Sequence, residues 1–146
     1  QVVFTGKEQD YRNPDFFSNL KKQTTDLGIE NHVKYLGFIS REDQIVLLKN
    51  CTAIIQPSLF EGWSTVNEDA KAQNTFILAS DIAVNREQLS NYPNYRLFDP
   101  NDANHLAQTI QEGNFECKTM DYHQNIVGFG NKFLQIIDTV KKTTYK

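Results

Sequence analysis

The stretch AIIQPSLFEGWSTVNEDAKAQNTFILA, residues 53–79, decides how this chain is read. It opens on a short apolar run, residues 53–56, stopped by Pro57, which has no N–H to continue a ladder. It closes on a second such run, residues 76–79. Apolar runs this short read as buried strands. Between them Thr65-x-x-Glu68 has the spacing of a capping box, which predicts a helix over about 66–73. Asn74 suits the left-handed position just past such a helix. Strand, glycine-containing loop, capped helix and strand make one βαβ unit, and such units pair their strands in parallel.

Working outward, the same alternation continues. Residues 2–4 read as a strand ending at Gly6. A helix is expected over 15–27, with Phe16, Phe17, Leu20 and Leu27 on roughly one face and Gly28 as its stop. Residues 33–36 alternate and halt at Gly37. Ser40 is the candidate cap of a helix to about 49, with Ile45, Leu47 and Leu48 as its apolar surface. A short helix is expected over 85–89 and a strand over 95–98. Asn101 is the expected cap of a helix to about 112, with Leu106, Ala107 and Ile110 turned inward. A last helix is expected over about 120–142, where Ile126, Phe129, Phe133, Ile136, Ile137 and Val140 recur at helical spacing; the stripe is expected to pack on the domain, with exposure or self-association of part of it as the alternative. The fold class is therefore α/β, a Rossmann-like parallel sheet with flanking helices, read as a single domain over residues 1–146.

Composition narrows the function. The 146 residues carry 15 Lys and Arg against 18 Asp and Glu, a net charge of -3. That argues against a general nucleic-acid binder, which presents a basic stripe. No apolar run approaches the roughly 18 residues of a membrane span. Cys51 and Cys117 lack metal spacing and read as reduced thiols of a cytoplasmic protein. His32, His105 and His123 lie far apart and suggest no metal cluster. The chain opens on an apolar run without Met or signal-peptide pattern, so it is expected to be an internal fragment.

In parallel sheets ligands sit beyond the carboxyl ends of the strands. The loop after residue 56 ends at a helix N-terminus, where the N–H groups of Gly62, Trp63, Ser64 and Thr65 can converge on an anion with help from the helix dipole. Glu61 borders this nest, and Asp69 lies one turn into the helix. A carboxylate repels phosphate, so both are aimed at hydroxyls. A nucleotide sugar has that layout: ribose, diphosphate, sugar. The bland alternative is ordinary capping, with Glu68 serving only the helix end.

Residues 57–72 resemble the hallmark of the large retaining glycosyltransferase family with the GT-B fold, the glycosyl transferases group 1. Residues 33–39 are similar to its base-contacting turn, residues 77–87 to its next strand and loop, and residues 97–102 are also typical. The likeness runs unbroken over about 2–112. The resemblance implies that Glu61, the candidate catalytic residue, binds hydroxyls of the transferred sugar. It implies that Asp69, in place of the motif's second glutamate, binds the ribose, and that the amides of Gly62, Trp63, Ser64 and Thr65 face the sugar and diphosphate. Gly37, Phe38 and Ile39 would lie beside the base. Lys71 replaces an apolar position, and Asn74 stands where the family has glycine. The family's first strand-helix unit, with its diphosphate-binding arginine and lysine, has no counterpart, and Lys7 is no substitute by position. The strands at 2–4 and 53–56 would flank that unit and are expected to be left without it as a partner.

The resemblance thus implies a donor-binding domain of an enzyme that transfers a sugar, with retention, from a nucleotide-diphosphate sugar to a hydroxyl. No metal or other cofactor is expected. The acceptor, a glycan or lipid-linked sugar, would bind through another domain. The resemblance also implies bacterial polysaccharide or glycolipid synthesis, a cytoplasmic location and docking of the full protein on the inner membrane face. The chain alone is expected to be inactive and open to self-association. Two other readings stand beside it: a nucleotide-sugar epimerase of the same fold, and a degenerate α/β module for protein association.

Overall fold

The computed structural model describes residues 1–9 and 11–144; of residues 124, 125 and 142–144 it describes the backbone alone. Among the described residues the strands are β1 (Val2–Phe4), β2 (Val33–Tyr35), β3 (Ala53–Gln56), β4 (Phe76–Ser80) and β5 (Tyr95–Phe98). The helices between and after them are α1 (Phe16–Asp26), α2 (Arg41–Asn50), α3 (Thr65–Ala72), α4 (Ala83–Leu89), α5 (Ala103–Gln111) and α6 (His123–Thr144). A 3-10 turn at Glu30–His32, which periodicity cannot reveal, leads into β2. All strand pairs are parallel. They form two sheets, β1-β2 and β3-β4-β5, and the chain divides into two compact units, Gln1–Leu47 and Leu48–Lys146.

In the first unit Val2 pairs with Val33 and Phe4 with Tyr35. The Leu36 N–H donates to the Phe4 carbonyl at 3.0 Å and the Gly6 N–H to that of Gly37 at 2.8 Å, so the two strands leave the sheet together. Phe4 stacks on Tyr35 at 5.3 Å, and Phe17 of α1 meets Tyr35 edge-on at 5.2 Å. The expected apolar face of α1 is only half right. Phe17 and Leu20 are half-buried and Thr24 is buried, whereas Phe16 and Leu27 are exposed. Positions 17, 20 and 24 form one stripe, whereas Phe16 is the first residue of the helix, to one side of that stripe, and Leu27 lies past its last turn. The helix ends as Gly28 predicts. With φ at 67°, the Gly28 N–H reaches Thr25 O and the Ile29 N–H reaches Thr24 O, a Schellman turn.

The second unit is built on β4, buried along its whole length, with Ile77 and Ala79 at 0% exposure. A parallel strand flanked on both edges and covered on both faces reads as a continuous apolar run, as residues 76–79 do. Phe76, Leu78 and Phe98 form a core cluster, joined by Ala53, Leu106 and Phe115. Asn74 takes the left-handed position after α3, φ 57°, and the Asn74 and Thr75 N–H groups close a second Schellman turn on Lys71 O and Ala70 O. Its side-chain oxygen accepts the Met120 N–H at 2.7 Å. Asn94 brackets Lys118 by both backbone groups, at 2.7 and 2.9 Å, so residues 118–120 are strapped beside the entry to β4 and β5.

Three expectations about helix ends and faces are corrected. Asp102, not Asn101, caps α5, accepting from the Asn104 and His105 N–H groups. The Asn101 N–H instead donates to Asp99. The inward face of α5 is Leu106 and Thr109, while Ala107 is exposed and Ile110 is 42% exposed. On α6 the apolar stripe does not pack on the domain: Ile126, Phe129, Phe133, Ile136 and Val140 are exposed, and Ile137 alone of the predicted set is half-buried.

Candidate functional site

At the carboxyl end of β3 the chain turns at Pro57 and returns as α3. Gln56, the last residue of the strand, is half-buried and directs its Nε2 to Glu61 Oε1 at 2.8 Å. The Ser58 hydroxyl donates to the same oxygen at 2.9 Å. One oxygen of Glu61 is thereby fixed from two sides, and Oε2 accepts from no other described residue. A carboxylate held by one oxygen presents the other for a ligand hydroxyl.

The cap of α3 is Ser64, whose Oγ accepts the Asn67 N–H at 3.2 Å, rather than Thr65. The expected capping box does not form, because Glu68 has stronger partners. Its Oε1 accepts from Gln88 Nε2 at 2.8 Å, from Trp63 Nε1 at 3.1 Å and from Lys71 Nζ at 3.1 Å. Burial alone would raise the Glu68 carboxyl, but hydrogen bonds from Gln88, Lys71 and Trp63 outweigh it and hold the group below its usual range. Lys71, the departure from an apolar position, also donates to Gln88 O at 3.1 Å.

The amides of the nest divide unequally. The Ser64 N–H points to Gln88 Oε1 at 3.3 Å, so it is already engaged. The N–H groups of Gly62, Trp63 and Thr65 donate to nothing among the described residues. Trp63 is 52% exposed, with its indole N–H tied to Glu68. Asp69 lies on α3 one turn past Thr65, half-buried. The structure thus brings Glu61, Gly62, Trp63, Ser64, Thr65 and Asp69 onto one loop and helix of the second unit. Gly37, Phe38 and Ile39 belong to the first unit. There Gly37 has φ 64°, Phe38 is 83% exposed and Ile39 is half-buried.

Sequence reasoning missed Gln56, Ser58, Asn67, Asn85 and Gln88. Asn67 and Asn85 are 0% exposed and Gln88 is 4%. Asn67 Nδ2 donates to Asn85 Oδ1, and Asn85 Nδ2 to Ser80 O, so amide side chains connect the end of β4 to the start of α3. The available signal was amide side chains at inward helix positions where apolar residues are the rule. A cleft of about 380 Å³ lined by Phe76, Tyr95, Arg96 and Lys118 lies at the amino ends of β4 and β5, the wrong end for a ligand of this fold. Among the described residues no group of His, Cys, Asp and Glu is placed to hold a metal, and no helix is long and apolar enough to cross a membrane.

A model of the family described as glycosyl transferases group 1 matches residues 1–113. The O-antigen chain mannosyltransferase RfbU of Salmonella typhimurium is 31% identical over 77 residues, 53% of this chain and 22% of that protein. Among solved structures, HepE of Anabaena in complex with UDP and glucose is similar at 26% identity and TM-score 0.67, over 75% of this chain and 29% of that one. A sucrose-phosphate synthase of Thermosynechococcus elongatus, at 19% identity and TM-score 0.65 over 95% of this chain and 39% of that one, shares the fold. These structural neighbours are GT-B glycosyltransferases. The chain spans less than a third of the length of RfbU and HepE.

Proposed function

Since the chain belongs to the glycosyl transferases group 1 family, we propose that it forms the donor-binding part of an enzyme that transfers a sugar, with retention, from a nucleotide-diphosphate sugar to a hydroxyl acceptor. The observation that carries this reading is the junction of β3 and α3. There a carboxylate with one oxygen pinned stands beside a capped helix N-terminus whose loop keeps three N–H groups unengaged.

The chemistry follows from charge. Glycosyl transfer breaks the bond between the sugar and the diphosphate, and negative charge grows on the departing phosphate oxygen. Fixed N–H groups and the positive end of α3 meet that charge without reorganising, so transition-state charge is stabilised more than ground-state charge. The reading therefore calls for no metal ion. Glu61 Oε2 accepts hydroxyls of the sugar and orients it, and Asp69 accepts those of the ribose. The O-antigen mannosyltransferase relative supports a role in bacterial polysaccharide or glycolipid synthesis, and the HepE complex supports a uridine nucleotide as the first donor to try.

Calorimetric titration of the protein with UDP, GDP and ADP, repeated with Glu61→Ala and Asp69→Ala, tests the reading. Tight binding of one nucleotide, roughly tenfold or more weaker in Asp69→Ala and little changed in Glu61→Ala, supports these roles. Absence of binding to all three nucleotides overturns the reading and favours the protein-association module.

A further inference from the structure

Gln88 makes a set of contacts that packing does not require. Its carboxamide holds both backbone groups of Ser64: Oε1 accepts the Ser64 N–H at 3.3 Å, and Nε2 donates to the Ser64 carbonyl at 2.7 Å. The second lone pair of Oε1 accepts from Asn67 Nδ2 at 3.4 Å, and the second hydrogen of Nε2 goes to Glu68 Oε1 at 2.8 Å. A glutamine side chain has two donors and two acceptor sites, and all four are used. The pattern fixes the carboxamide one way round, since both neighbours of Oε1 are donors and both neighbours of Nε2 are acceptors.

This arrangement carries a cost. Asn67 spends both amide hydrogens on Asn85 and Gln88, and its own Oδ1 is buried without a partner. A buried acceptor without a partner loses its hydration and gains nothing in return. Apolar side chains would join α3 to α4 without that loss. What they could not do is set the direction of the two successive peptide planes on either side of Ser64. Ser64 joins the loop to α3: its C=O shares a plane with the Thr65 N–H and its N–H shares a plane with the Trp63 C=O, so holding both fixes where the Thr65 N–H points and how the loop leaves Trp63. The same carboxamide, through Glu68, also holds the indole of Trp63.

We infer that Gln88, on α4 and outside the loop it serves, is a positioning residue that fixes the Thr65 N–H and the course of the loop carrying the N–H groups of Gly62 and Trp63 for a nucleoside diphosphate, and anchors Trp63 beside them. The inference rests on the donor-site reading above, and its test is built to fail separately from it.

Trp63 is the single tryptophan of the chain, so its emission reports the second half of the clamp with no ligand present. Gln88→Met keeps the bulk and removes all four hydrogen bonds. Phe98→Leu, in the core and away from the loop, is the comparison for general loss of stability. Three quantities are measured for each: melting temperature, Trp63 emission with its quenching by acrylamide, and affinity for UDP, GDP and ADP. In Gln88→Met the expected result is a nucleotide affinity lower by roughly tenfold or more, with red-shifted and more quenchable emission. In Phe98→Leu only the melting temperature falls. If Gln88→Met lowers the melting temperature as Phe98→Leu does while nucleotide affinity stays at the wild-type value, Gln88 is merely structural and the inference is overturned. If the wild-type protein binds no nucleoside diphosphate, the donor-site reading fails by itself, and Trp63 emission decides: unchanged emission in Gln88→Met overturns the clamp, and altered emission sustains it. Should Gln88→Met fail to fold, Gln88→Asn, one methylene too short to reach both sides of Ser64, replaces it under the same criteria.

Discussion

β1 and β4 are written in the same alphabet and live in different surroundings. Val2-Val3-Phe4 and Phe76-Ile77-Leu78-Ala79 are both unbroken apolar runs, and both form parallel strands. Yet all three residues of β1 are exposed, and all five of β4 are buried. The difference lies in what covers them. β4 is paired on both edges and contributes Phe76 and Leu78 to a cluster reached by Leu106 and Phe115. β1 is paired on one edge, and in its unit Phe17 of α1 makes its ring contact with Tyr35 of β2. An apolar run specifies a strand; burial is specified by elements distant in sequence that come to lie on it.

The comparison can be broken most directly at its two centres. Leu78→Ala removes a side chain 1% exposed in a packed strand and is expected to cost about 2–5 kcal/mol. Val3→Ala, at a site 42% exposed, is expected to cost no more than about 1 kcal/mol. Urea unfolding followed by far-ultraviolet circular dichroism measures both. Equal costs would mean that β1 is supported as well as β4, and the contrast between the units would collapse.

A smaller effect sharpens the same contrast through pH. Tyr92, 2% exposed, donates its hydroxyl to Thr75 O at 2.6 Å just before β4. Burial pushes its phenol up from 10 to about 12, with added repulsion from Tyr122 and Cys117 against a lowering hydrogen bond from Asn94. A folded-state value above the unfolded one favours the protonated form on folding. Its stabilisation is full below pH 10 and is lost as pH rises from 10 to about 12. Tyr92→Phe should therefore cost about 1–2 kcal/mol near neutrality and flatten the alkaline loss of stability. Tyr11 of the first unit is 88% exposed, and Tyr11→Phe should leave stability near neutrality within about 0.5 kcal/mol of wild type. Thermal melts between pH 7 and 12 would show it, and an alkaline slope as steep in Tyr92→Phe as in the wild type would refute it.

The strand-helix order was legible in the sequence because periodicity and stop signals are local. Gly28, Asn74 and Pro57 each end an element where their backbone chemistry says they should. What escaped was decided at a distance. Thr65-x-x-Glu68 has the capping-box spacing, but Glu68 turns to Gln88, twenty residues away, and Ser64 caps instead. Asn101 and Asp102 are adjacent cap formers; α5 starts at Ala103, which puts Asp102 at the cap, with its side chain within reach of the Asn104 and His105 N–H groups. The loop of the candidate site could be read from glycine and helix start. Its supports could not, since Gln56, Asn67, Asn85 and Gln88 are ordinary amide residues until the fold packs them together.

The finest comparison is between the two Schellman turns, one per unit, because they share backbone geometry and differ in what the left-handed residue does. Gly28 and Asn74 have φ of 67° and 57°. A Cβ added at Gly28 meets nothing within 4 Å. Asparagine tolerates the left-handed region, and its side chain narrows the unfolded ensemble relative to glycine. Gly28→Asn is therefore expected to change stability by less than about 0.5 kcal/mol. The reverse exchange, Asn74→Gly, relieves a small backbone penalty but removes the oxygen that accepts the Met120 N–H at 2.7 Å. A lost hydrogen bond of this kind costs about 1 kcal/mol. The net should be destabilising, with faster hydrogen exchange at Met120 as its local signature. If Asn74→Gly instead stabilises the protein and leaves Met120 exchange unchanged, the strap at residues 118–120 contributes nothing to the second unit, and Asn94 alone holds that segment in place.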